Sequence, residues 1–239
     1  AETVLKQSGM ALIPLGSVEQ HGPHLPCGTD YLAILAITRR AAQQLQALLV
    51  PLGPLGVTPF HMAFAGTVTL RSQTLISLLE DVCTSLVHHG AKKLALVNWH
   101  EGNTAAMNLA ATAVRQQHDI RLVVVQACYI AEELFGREVG LTHGGTLEAL
   151  GVLACHPELV HLERATNPSP MEHAARLDAL RRRRTSYPIL GDIRQMYPTG
   201  WYGPHVEVTP ERAEQFLEGV AEAVARQVRE TLAALEGPS

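Results

Sequence analysis

Residues 93–128, KLALVNWHEGNTAAMNLAATAVRQQHDIRLVVVQAC, contain a complete strand, loop, helix and strand. Lys93 to Val97 is a short apolar run with the character of a buried strand. The polar loop NWHEGN (98–103) follows, Thr104 to Gln117 has helical spacing, and Arg121 to Cys128, with Leu122 and three valines, reads as the next strand. Such a βαβ unit implies parallel strands and a right-handed crossover. Upstream, Leu75, Ile76, Leu78, Leu79, Val82, Cys83, Leu86 and Val87 form an apolar helical stripe that stops at Gly90. Earlier still, Ala11 to Ile13 reads as a strand ending in a turn at Pro14 and Gly16, followed by a helix through Leu32, Ile34, Leu35 and Ile37 to about Leu48. Leu49 to Leu52 reads as a strand cut by Pro51 and Gly53, and residues 51–70 as a long Gly- and Pro-rich loop of functional type. Downstream, Glu132 to Leu141 is ambiguous and residues 143–155, HGGTLEALGVLAC, read as a turn entering a helix. Residues 163–205 have weak periodicity and several prolines, which suits a lid or a subunit contact. Thr209 as N-cap and Pro210 at the first helical position open an amphipathic helix to about Leu235. The alternation predicts a layered α/β fold with a mostly parallel sheet.

Composition bounds the rest. A chain of 239 residues with 46% hydrophobic content can bury a full core and reads as one domain, 1–239. A net charge of −4 offers no basic stripe for nucleic acid. The one basic cluster, Arg181 to Arg184, reads as a solvated helix face or an intersubunit contact, and aromatics at 5% offer no base-stacking platform. Cys27, Cys83, Cys128 and Cys155 lack CxxC spacing and read as reduced core residues. The chain starts at Ala1 rather than Met, which leaves room for a short preceding piece. AETVLKQSG has neither the basic nor the apolar region of a signal peptide, and no apolar run approaches the roughly 18 residues of a membrane span. The expectation is a cytoplasmic protein without membrane or nucleic-acid partners.

Polar side chains gather where these elements meet. Residues 12–30, LIPLGSVEQHGPHLPCGTD, place Glu19, His21, His24 and Asp30 at one apolar strand end. An extended backbone would point Glu19 and His21 to one side, and carboxylate with imidazole is the donor mix of Zn, Mn or Fe(II). Asp30 can alternatively cap its helix, with Thr29 as competitor, and His24 reads as a structural histidine bonded to a backbone carbonyl. Buried carboxylates without a counter-charge are costly, and a cation removes the cost. His100 leaves a parallel strand end, where it can join Glu19, His21 and Asp30 or remain a surface histidine, and Glu101 ranks below it. The third loop offers His143 and Glu148, the latter either partnered on a dry helix face or stabilising the helix dipole. GxSxG is absent and Cys27 has no nearby cation, so a serine or cysteine nucleophile is not indicated. The loops hold no lysine or arginine clamp for phosphoryl transfer.

GSVEQHGPHLPCGTD, NWHEGN, HGGTLEA and GTVTL (66–70) together resemble the creatininase (creatinine amidohydrolase) family over roughly residues 10–160, with a fainter echo in 204–213. That resemblance implies a three-layer α/β/α fold, two divalent metal ions per chain (Zn, Mn or Fe) and hydrolysis of an amide, lactam or formamide C–N bond in a small molecule or short peptide. It implies Glu19 and His21 on different ions, Asp30 bridging them, and His100 beside Glu19. Creatininase has a metal-binding glutamate where this chain has Gly102, so Glu148 is the candidate replacement and Glu101 the reserve. Trp99 stands where a small glycine is usual and Thr146 where an acidic residue is commoner, which weakens the case for creatinine as substrate. Trp99, Glu101 and Thr67 are candidate substrate contacts. The ions would make a shared water basic near neutral pH, with His143, or alternatively Glu148, giving a proton to the departing nitrogen. Relatives of this kind include formamide deformylases and a peptidase of a modified-peptide cofactor precursor, and they commonly form hexamers. The competing class is a catalytically silent member serving as a binding or oligomeric scaffold.

Overall fold

The computed structural model describes residues 1–235, so residues 236–239 of the expected domain lie outside the described residues. In chain order its principal elements are α1 (Glu2–Ser8), β1 (Met10–Leu15), α2 (Thr29–Gln44), β2 (Leu48–Leu49), α3 (Ser72–His88), β3 (Lys93–Asn98), α4 (Thr104–Gln117), β4 (Arg121–Gln126), α5 (Ala127–Phe135), α6 (Thr146–Leu153), α7 (Met171–Arg181) and α8 (Pro210–Ala234). The four strands lie in the order β2-β1-β3-β4, all parallel. Alternate residues serve opposite faces. Met10, Leu12, Ala95, Val97, Val123 and Val125 join one core, against α2, α5, α6 and α8. Ala11, Ile13, Leu15, Leu94 and Leu96 join the other, against α1, α3 and α4. Helices on both faces explain why these strands are apolar throughout rather than alternating, and the expected α/β/α layering is what the chain adopts.

Topology places the site. From β1 the chain passes through α2 to β2 on one side, then returns past β1 to β3 on the other. Strand order therefore reverses between β1 and β3, and ligands of open α/β sheets bind outside the carboxyl ends of strands at such a point.

Some local readings need correction. The second strand is only Leu48–Leu49, because Pro51 lacks the N–H that a longer ladder requires. β4 ends at Gln126, and Ala127 with Cys128 already belongs to α5; no turn residue marks that boundary. The ambiguous stretch after Glu132 is helical to Phe135 and then closes at Gly136. Residues 163–205 contain α7 and a small core of Ala174, Ile193, Met196, Tyr197 and Tyr202. Arg181 and Arg182 do not form a solvated face: both are half-buried and engage Glu101 and Asp178, whereas Arg183 and Arg184 are exposed. At the chain's clearest helix start, Thr209 accepts a hydrogen bond from the Arg212 N–H at 3.2 Å, as an N-cap should.

Candidate metal centre

Leu15 and Asn98 pair at the carboxyl ends of β1 and β3, so the loops that follow turn over the same sheet edge. Two asparagines lock them together. Asn98 Nδ2 donates to the His100 carbonyl at 2.6 Å, and Asn103 Nδ2 donates to the Gly16 carbonyl at 2.9 Å. Asn103 Oδ1 accepts from the Val57 N–H at 2.9 Å, which draws in the long loop before α3. Gly102 belongs to this close approach: a Cβ there would overlap the Val57 carbonyl oxygen and the His100 ring. The third loop arrives through Gly144, whose φ of +74° suits glycine and whose N–H donates to the Glu148 carboxylate.

Seven polar side chains meet here, all buried or nearly so: Glu19, His21, Asp30, His61, His100, His143 and Glu148. Three rings share one arrangement. His21 Nδ1 donates to the Glu19 carbonyl (3.0 Å), His100 Nε2 to the Val57 carbonyl (3.1 Å) and His143 Nε2 to the Gln20 carbonyl (2.7 Å). A carbonyl only accepts, so each of those nitrogens holds the ring proton, and in the neutral ring the other nitrogen is a bare lone pair. That lone pair faces carboxylates. His21 Nε2 lies 3.3 Å from Asp30, 3.6 Å from Glu148 and 4.0 Å from Glu19, with no hydrogen-bond partner. His100 Nδ1 lies 3.2 Å from Asp30 and 3.3 Å from Glu19. Acceptors facing acceptors in a buried site are held together by a cation, so the donor set fits a metal.

The donors form three overlapping groups: Glu19, Asp30 and His100; His21, Asp30 and Glu148; and Glu19, His21 and His143. Asp30 is common to the first two. Its side chain accepts from Ser17 Oγ at 2.7 Å, and no side-chain cap bond is made at the start of α2.

Electrostatics follow the same pattern. Burial opposes ionisation of Glu19, but its interactions with the His100 and His61 rings outweigh it and hold the carboxyl well below its ordinary value. Burial disfavours the charged His21 ring, yet Glu148 and Asp30 raise its pKa well above normal. Burial first, and then the neighbouring His21 ring, push His143 well below its ordinary range. Burial raises Glu148 despite His21 beside it. The field attracts positive charge at the triads and keeps His143 neutral.

A cavity of about 600 Å³ opens over this cluster. Phe60, Trp99, Tyr129, Tyr197 and Tyr202 contribute aromatic wall, and Arg181 and Arg182 are among its polar lining. Trp99 is also a core residue, edge-on to Phe216 at 6.1 Å. Glu101 lines the cavity but is not brought to the donor groups; Arg181, Arg182 and Tyr129 take its carboxylate. Thr67 does not line the cavity and instead accepts from the Gln20 N–H at 3.3 Å. His24 donates to the Gly144 carbonyl at 2.7 Å, the structural role read from the sequence. Thr146 Oγ1 donates to the Pro204 carbonyl at 2.7 Å. Sequence reasoning missed His61, Tyr197 stacked on His143 at 5.2 Å, and the two arginines. Phe60-His61 inside the long loop was the available signal for the first.

The family profile described as creatininase (creatinine amidohydrolase) matches residues 1–228. A mycofactocin precursor peptide peptidase of Mycobacterium ulcerans is 33% identical over 232 residues, 92% of this chain and 85% of that one. A creatinine amidohydrolase of Pseudomonas putida is 29% identical over 179 residues, 66% of this chain and 69% of that one. The crystal structure of creatininase shares the fold at a TM-score of 0.78 and 23% identity, covering 100% of this chain and 95% of that one. The chain belongs to the creatininase family of metal-dependent amide-bond hydrolases.

Proposed function

We propose that this chain, a single domain, is a dinuclear hydrolase that cleaves an amide-type C–N bond in a short peptide or peptide-like small molecule. The observation that carries the reading is Asp30 shared by two donor triads. Glu19, His100 and Asp30 would hold one ion, and His21, Glu148 and Asp30 the other, with Zn, Mn or Fe(II) as the ions such donors favour. Two such ions, when bound, would lower the pKa of a water towards neutrality and polarise the substrate carbonyl. His143, neutral and with its Nδ1 lone pair 3.8 Å from Glu19, takes the proton of the attacking water and passes it to the departing nitrogen. The cavity volume and the identity shared with a precursor-peptide peptidase over 92% of the chain favour a peptide amide over creatinine. We also propose a homo-oligomer, as a hexamer, working in the cytoplasm; among the described residues no helix is long and apolar enough to cross a membrane.

Metal analysis of purified protein, joined to a panel of short peptides, lactams and formamides assayed with added Mn and Zn, tests the reading. The expected result is two ions per chain and turnover of a peptide amide. Metal-free protein that gains no activity on adding either ion would return the scaffold reading.

A further inference from the structure

His61 is the buried histidine that the hydrolase reading leaves without a task. It ends the short turn Pro59–His61 in the loop before α3, is 3% exposed and lines the cavity. Its ring stacks on that of His143, 4.9 Å between centroids and 22° from parallel. The partners fix its tautomer. Thr58 has one hydroxyl proton and donates it to the Glu19 carboxylate, so Thr58 Oγ1, 2.6 Å from His61 Nδ1, can only accept there. Glu19 Oε2, 3.0 Å from the same nitrogen, is also an acceptor. Nδ1 therefore carries the hydrogen, and in the neutral ring Nε2 is a bare lone pair.

The other three imidazoles give their proton to a carbonyl and turn the lone pair to carboxylates. His61 is reversed: its proton goes to the Thr58 and Glu19 side, and its lone pair does not. His61 belongs to none of the donor triads, and Nε2 is buried with no hydrogen-bond partner. A buried acceptor without a donor is costly unless a ligand brings one.

We infer that His61 is a substrate-contacting residue whose Nε2 accepts a hydrogen bond from an N–H or O–H of the molecule bound beside His143. The kind of molecule rests on the hydrolase reading; the tautomer does not. The site then selects amides that keep a hydrogen on nitrogen, because an analogue without one leaves the lone pair unpaired.

Nitrogen-15 NMR of zinc-loaded protein labelled at histidine tests this, with His61 assigned by the signal lost in His61→Gln. Expected are a protonated Nδ1, a bare Nε2, and an Nε2 resonance that moves with N-methylacetamide but not with N,N-dimethylacetamide. A hydrogen on Nε2, or the same response to both amides, including none, overturns the inference. If the protein binds neither zinc nor manganese nor iron, the hydrolase reading fails, while the tautomer is still read from the metal-free protein. In His61→Ala, zinc content should be unchanged and N-methylacetamide binding about 10-fold weaker; loss of zinc would assign the ring to the metal centre instead.

Discussion

Asp30 is the carboxylate common to the group with Glu19 and His100 and the group with His21 and Glu148, so a single substitution separates a bridge from a cap. Asp30→Ala should remove both ions and all turnover, read by metal analysis and assay; two ions retained would leave Asp30 only its place in the first turn of α2. His143→Ala should keep the ions and slow hydrolysis by roughly two to four orders of magnitude, and an unchanged rate would reassign proton transfer. Glu19, His21 and Asp30 were legible because one loop carries all three beside an apolar strand, where unpaired charge is expensive. His100 was legible from its place after a parallel strand. Glu148 needed the resemblance to become a ligand candidate, and the overlap at Gly102 shows why no side chain of this backbone can serve there. His61 had no acidic neighbour in sequence to mark it; its partners Thr58 and Glu19 come together only in the fold.

α7 illustrates a different kind of concealment. It buries little beyond Ala174 and Asp178, so its apolar period is faint, and polar contacts at its last turn dock it. Arg181 and Arg182 reach Glu101 and Asp178, Arg182 Nη1 donates to the Leu141 carbonyl at 3.1 Å, and Tyr202 donates to Asp178 at 2.8 Å. Burial opposes ionisation of Glu101, but Arg181 and then Arg182 hold its carboxyl down to about 2. Because the folded value is depressed, the stabilisation is complete above the ordinary carboxylate range and is lost as pH falls from there towards 2. Glu101→Gln should therefore lower stability by about 3 kcal/mol at pH 7, with the gap closing as pH approaches 2. Urea unfolding of both proteins across that range measures it, and a gap independent of pH would mean that the ion cluster is not its source. By contrast α3, α4 and α8 could be read directly, since wide apolar stripes and clear ends at Gly90 and Thr209 leave little to tertiary context.

Across the whole molecule, alternation of strands and helices was enough to foresee a layered α/β fold with a mostly parallel sheet, while the three layers came from the family resemblance; the apolar strands, covered on both faces, account for them. Strand order was not foreseeable: nothing local says that the chain should return past β1, yet that reversal creates the crevice. Ions bound there should stabilise the fold as a whole. At a concentration 100 times the dissociation constant the expected gain is about 2.7 kcal/mol. Chelation should lower the thermal midpoint and re-addition restore it, and a midpoint insensitive to both would argue against ions held by the native state alone. The floor of the cavity is built by the segments that follow the strands, while part of its rim is α7, attached through a detachable set of charges. On the proposed reading the floor would carry the chemistry together with the His61 contact, while the α7 part of the rim is a stretch that mutation could redraw without touching the donor groups.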